Sequence, residues 1–134
     1  MSYSVFIQKF KAGQPSVAPF GAIVTILNKY GSVNHVGSRM EFTPGDDDLC
    51  EVGFIGGSET EGIDSIGFER PISGGRLSEM VFELLGVDGL CYFEVDVSFV
   101  LGRTDVTADL PKGLLELCET RRVTIVSSRT EIPL

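Results

Sequence analysis

Cys91-Tyr92-Phe93-Glu94-Val95-Asp96-Val97-Ser98-Phe99-Val100-Leu101 is the most regular stretch of the chain. Cys91, Phe93, Val95, Val97, Phe99 and Leu101 recur at every second position, with Tyr92, Glu94, Asp96, Ser98 and Val100 between them. A period of two marks a strand, because successive side chains leave opposite faces of the backbone. Six apolar positions in phase predict one long strand with a buried face and a wet face. Upstream, Leu77, Met80, Val81, Leu84 and Leu85 form a helical stripe, with Glu79 and Glu83 off it. Ser73 is placed to cap that helix at its start and Gly86 to end it. Downstream, Asp109 and Pro111 lead into a short helix near 110–119, a strand follows at 122–127, and 127–134 reads as a loose tail.

The N-terminal half adds a strand at 3–10 with apolar residues on both faces, which predicts cover on both sides. A helix over 19–30 follows from Phe20, Ile23, Val24 and Leu27, begun by Ser16 or Pro19 and stopped by Gly31. Residues 31–38 read as a loop. Three short strands are predicted at 39–43, 49–55 and 63–70, forming an antiparallel meander. Pro44-Gly45-Asp46-Asp47-Asp48 is a turn between the first two, and 56–62 is a polar turn between the last two. The order β-α-β-β-β-α-β-α-β predicts an α+β fold: one mixed or mostly antiparallel sheet of about five to six strands with two to three helices. At 134 residues the chain is expected to form a single domain over 1–134, with a core of Phe, Val, Ile and Leu.

Charge is strongly segregated. Residues 1–40 carry Lys9, Lys11, Lys29 and Arg39 and no carboxylate. Residues 41–69 carry Glu41, Asp46, Asp47, Asp48, Glu51, Glu59, Glu61, Asp64 and Glu69 and no Lys or Arg. Most of the formal charge of −8 therefore originates in one middle segment. An acidic surface repels phosphates, so nucleic acid is not an expected ligand, and a basic protein is. No basic amphipathic helix is visible for a membrane surface, and no apolar run reaches the ~20 residues of a spanning helix. Residues 1–10 alternate like a strand and lack the continuous apolar run of a secretory leader, so a cytoplasmic location is expected. Cys50, Cys91 and Cys118 each lie within an apolar pattern, as reduced core thiols would.

No residue set spells out a reaction, and no catalytic group, metal ligand or cofactor motif is assigned. Counted as a calcium loop, the run from Asp46 places Glu51 where Gly is needed and Gly57 where a closing Glu is needed, so a solvated turn is the better reading. His35 is the only histidine and reads as a loop residue. Gly53-Phe54-Ile55-Gly56-Gly57 lacks the spacing and the following helix of a dinucleotide turn. Ser73-Gly74-Gly75-Arg76 offers backbone N–H groups and a cation to an anion, or is an ordinary helix start. Glu94 and Asp96 point the same way on a strand: an acid pair, a partner-binding stripe or a plain wet face. Tyr92 joins them as a candidate contact or a packing residue.

In length, acidity and α+β make-up the chain resembles the small acidic immunity proteins with which bacteria neutralise toxins, basic nucleases above all. That resemblance implies an acidic sheet face or loop that mimics nucleic acid and plugs a basic active site. The partner-binding candidates are Asp46, Asp47, Asp48, Glu59, Glu61 and Asp64, with Tyr92, Glu94 and Asp96 as a second surface. Two alternatives stand beside this reading. One is a small-molecule binder or small enzyme with a pocket between sheet and helix, near Ser73–Arg76 or Glu94 and Asp96. The other is a structural or oligomer subunit, which an exposed edge strand would support.

Overall fold

The computed structural model describes residues 4–134; Tyr3, the first residue of the predicted N-terminal strand, lies outside them. Strands β1 (Ser4–Lys11) and β2 (Gln14–Ser16) precede helix α1 (Phe20–Leu27). Strands β3 (Gly31–Val36), β4 (Arg39–Pro44), β5 (Val52–Ser58) and β6 (Gly62–Glu69) follow, then helix α2 (Leu77–Leu85). The C-terminal part contributes β7 (Cys91–Glu94), β8 (Val100–Gly102), a 3-10 turn at Thr107–Asp109, α3 (Lys112–Leu117), β9 (Thr124–Ile125) and a 3-10 turn at Arg129–Glu131. The described residues form an α+β fold, with three helices and a nine-stranded sheet ordered β3-β4-β5-β6-β1-β7-β8-β9, β2 pairing with β1. Every pairing is antiparallel except β8 with β9, so the sheet is mixed. None of the helices among the described residues is long and apolar enough to cross a membrane.

Cross-strand register sorts the side chains into two layers. On one face Leu101, Tyr92, Ile7, Ile66, Ile55 and Met40 form a continuous rung. Against it pack Ile23 and Leu27 of α1 and the α2 stripe Leu77, Met80, Val81, Leu84 and Leu85, all buried. On the other face Phe93, Phe6, Gly67, Phe54 and Glu41 form the matching rung. Here a second core covers only part of the sheet. Cys91, Phe93 and Val100 pack under Leu110, Cys118 and Val123 from the C-terminal segment. Among the described residues the meander β3–β6 has no such lid.

Several expectations are corrected. The sheet has nine strands, not five or six. The long strand at 91–101 is a hairpin. The Val97 N–H donates to the Glu94 carbonyl at 3.0 Å, Val97 has φ of 53°, and the chain reverses so that Phe93 lies opposite Val100. Reversal swaps the faces beyond the turn: Val100 joins Phe93, and Leu101 joins Tyr92. Residues 31–38 are mostly strand, and α1 ends at Leu27 with Asn28 as its C-cap, short of the expected stop at Gly31, the chain beyond it tightened by i to i−3 bonds from Lys29 and Tyr30. Ser73 does not cap α2. The N-cap is Arg76, without a side-chain capping bond, and Gly86 is the C-cap as expected. The β5–β6 turn is shorter than 56–62, because β5 runs on to Ser58. The last residues are no loose tail, since Ile132 is buried in the main core and Ser128 caps the final 3-10 turn.

Candidate functional site

The acidic segment 41–69 builds β4, β5, β6 and their turns, and antiparallel reversal spreads its carboxylates. Asp46, Asp47 and Asp48 sit in the β4–β5 connection at one end of the meander. That turn is docked on the entry to α2: Arg76 Nη1 donates to Asp46 Oδ2 at 3.3 Å, and the Ile72 N–H donates to the Leu49 carbonyl at 2.9 Å. The Asp48 carbonyl presses against Gly75, where a Cβ would lie 2.2 Å from it. Glu59 and Glu61 occupy the β5–β6 turn at the opposite end. Glu59 Oε1 lies 3.5 Å from His35 Nε2, and the Glu61 N–H donates to Ser58 Oγ at 3.0 Å. At seven residues, β5 separates the two turns by roughly 23 Å.

Between those ends lies the uncovered face of the meander. Asp64 is there, the extra residue of a bulge where the register slips between Gly56 and Gly57. Its Oδ1 accepts from Ser65 Oγ at 2.9 Å. A Cβ on Gly56 would lie 2.6 Å from both of those oxygens, so the bare glycine is what lets the carboxylate sit there. Strand alternation brings Glu41 and Glu69 to the same face. Glu69 Oε2 accepts from Ser4 Oγ at 2.9 Å. At the centre, Gly67 separates Phe6 from Phe54 on one rung, leaving a shallow hollow of about 320 Å³ bordered also by Gln8, Ser65 and Glu69. Phe54 is 40% exposed. The face therefore combines an aromatic surface with Glu41, Asp64 and Glu69, and Arg39 stands at its far corner.

The second predicted surface does not form. Tyr92, expected on a wet face, is fully buried, because it stands between Ile7 and Leu101 on the helix-covered face of the sheet, where Phe99 stacks on its ring at a centroid distance of 6.3 Å. Glu94 is half-buried and accepts from Tyr92 Oη at 2.9 Å. Asp96 has left the strand and sits in the hairpin turn, where its Oδ1 accepts from the Ser98 N–H at 3.2 Å. Glu94 and Asp96 thus serve the hairpin and make no side-by-side acid pair.

A second concavity, about 480 Å³, lies where α1, α2 and the C-terminal turn meet, lined by Lys29, Tyr30, Arg76, Glu79, Phe82, Glu83 and Arg129. Its charges are largely matched from within. Lys29 Nζ lies 2.6 Å from Glu83 Oε1, and Tyr30 Oη donates to the other oxygen of Glu83. Arg76 lies over the Tyr30 ring at 5.0 Å and reaches both Asp46 and Glu79. The hydrogen bonds from Lys29 and then Tyr30 hold the Glu83 carboxyl below its ordinary range, outweighing the opposing effect of burial. Burial, reinforced by the Glu83 hydrogen bond, pushes the Tyr30 phenol far up. This is a polar clamp that ties α1 to α2.

Among the described residues no three His, Cys, Asp or Glu side chains come together to hold a metal. Cys50, Cys91 and Cys118 are buried free thiols, and burial pushes Cys50 and Cys91 each up to about 12. The sequence alone does not mark Phe54, Glu41 or Glu69 as site residues. Their signal is strand parity: in Val52–Ser58, Gly53 and Ile55 point inward, so Phe54 must point out. Compared with family models, curated proteins and solved structures, the chain matches none.

Proposed function

We propose that this chain is an acidic protein-binding module that docks a basic partner across the open face of its β3–β6 meander. The observation that carries the reading is Phe54, an exposed aromatic on the uncovered half of the sheet with carboxylates around it. Interface cores favour aromatic residues, and complementary charge at the rim steers encounter. A standard interface covers about 800 Å² per partner. A face some 23 Å long and four strands wide supplies the central part of such an interface, with the Asp46–Asp48 turn and the Glu59–Glu61 turn at its two ends. A toxin or nuclease domain with a cationic active site is the partner class that fits, and the cytoplasm is where such a complex would form. The small-molecule alternative rests on the α1–α2 cleft, whose Lys29 and Arg76 already face Glu83, Asp46 and Glu79.

Affinity capture from the native cell at low salt supplies the partner, and the kinetics test the face. Phe54→Ala is expected to weaken binding by about 2 kcal/mol, mainly through dissociation. The triple change Glu41→Gln, Asp64→Asn, Glu69→Gln is expected to slow association and flatten its dependence on salt. Binding unaffected by both variants, measured by surface plasmon resonance, would remove the partner from this face.

A further inference from the structure

The sheet ends on one side at β3, and the opposite edge is only the two-residue β9. Free edges are normally blunted by shortness, by Lys or Pro, or by a bulge. β9 is blunted by its length. β3 has none of these devices. Its six residues, Gly-Ser-Val-Asn-His-Val, include no Pro, Lys, Arg or carboxylate. Its register against β4 runs without a break from Gly31 opposite Pro44 to Val36 opposite Arg39. Ser32, Asn34, His35 and Val36 are exposed, Val36 at 47%.

The phase of the ladder fixes which groups are unused. The Gly45 N–H donates to the Tyr30 carbonyl at 2.8 Å. Antiparallel bonding alternates, so Ser32, Asn34 and Val36 point their amide groups at β4, and Gly31, Val33 and His35 point theirs away from the sheet. Three outward residues centred on Val33 form a self-complementary set. Laid antiparallel on a copy of itself with Val33 facing Val33, the strand pairs Gly31 with His35 of the second copy and His35 with Gly31. Each of these three pairs exchanges two backbone hydrogen bonds. The two valines then meet at the dyad on the helix-covered face, and Ser32 meets Asn34 of the second copy on the open face. This closes as a two-fold dimer with no further growth at that edge.

We propose that β3 is a self-association edge at which two copies of this chain join their sheets into one continuous sheet. The contact is one strand wide and well below the roughly 800 Å² per partner of a standard complex, so the dimer is weak and concentration-dependent. Each copy carries a formal charge of −8, so the copies repel one another and salt strengthens their association by screening. That sign is opposite to the one expected for a basic partner, and the two readings stand or fall separately.

Sedimentation equilibrium on the intact chain, from about 10 µM to about 1 mM, tests the proposal. A monomer–dimer equilibrium whose dimer fraction rises with sodium chloride is expected. Asn34→Lys puts a charge on the edge, and His35→Pro removes an outward N–H without touching the β3–β4 ladder. Each is expected to raise the dimer dissociation constant at least about tenfold, with circular dichroism and Tm close to those of the parent. Asn34→Lys decides the question if the proline variant does not fold. A chain that stays monomeric throughout this range at both low and high salt overturns the proposal, as does a dimer that Asn34→Lys leaves intact.

Discussion

Phe93 and Phe54 lie on the same face of one sheet and on the same rung, with Phe6 and Gly67 between them. Phe93 is 9% exposed and Phe54 is 40% exposed. The strands do not account for the difference; the cover does. Residues 106–123 fold back over β7 and β8 and bury that part of the outer face under Leu110, Leu114, Cys118 and Val123. Nothing among the described residues does the same over β4, β5 and β6. The chemistry of the two regions follows. The covered half shows Cys91, Phe93 and Val100 outward, and the open half mixes Phe54 with Glu41, Asp64 and Glu69. A buried sheet face cannot hold unpaired carboxylates, so the sheet-face carboxylates Glu41, Asp64 and Glu69 stand on the half without a lid.

Truncating the two phenylalanines breaks or upholds this contrast most directly. Phe93→Ala removes a ring that packs against Phe6 at a centroid distance of 5.7 Å within a closed cluster, and is expected to cost about 3 kcal/mol of stability. Phe54→Ala removes a ring already facing solvent and is expected to cost about 0.5 kcal/mol. Urea unfolding of both variants gives the answer. Comparable losses would mean that the open face is covered in solution by something other than water.

A second test concerns the helix-covered face. Ile132 is 3% exposed and belongs to the main core beside α2. Ile132→Ala is expected to destabilise the protein by about 2 kcal/mol, read from the urea midpoint. No loss would return the last residues to the loose tail that their polar sequence implies.

Regions differ in how far the sequence reveals them, and the reasons are physical. The α2 stripe is legible because all five of its apolar residues face one packed sheet, so periodicity and burial coincide. β1 and β6 are legible for the same reason at a period of two. β3 is invisible because it is an edge: of Gly31–Val36 only Val33 packs against the core, and a single contact makes no period. The 91–102 hairpin is hidden because its turn contains Val95 and Val97, which continue the alternation, and because Val97 takes a positive φ that β-branched residues seldom adopt. The segregation of acid along the chain is plain. Its placement is not, since Asp46–Asp48 and Glu59–Glu61 occupy the turns before and after β5 and so lie at opposite ends of that strand.

The smallest expected effect separates carboxylates that serve the fold from those of the open face. Glu83 is held by Lys29 and Tyr30 in the clamp between α1 and α2, and its carboxyl lies below the ordinary range. A group whose folded pKa is depressed stabilises the protein above its unfolded pKa, near 4.3 for Glu, and loses that contribution as pH falls through the folded value. Glu83→Gln is therefore expected to cost about 1 kcal/mol at pH 7, allowing for solvent screening of a part-exposed pair. The deficit should persist to about pH 5 and close progressively below about pH 4. Glu41→Gln, on the open face, is expected to change stability by less than about 0.5 kcal/mol at pH 7. Thermal unfolding of the three proteins across that range checks both statements. If Glu41→Gln proved as costly as Glu83→Gln, the open-face carboxylates would belong to the fold, and their availability to a basic partner would lose its physical basis.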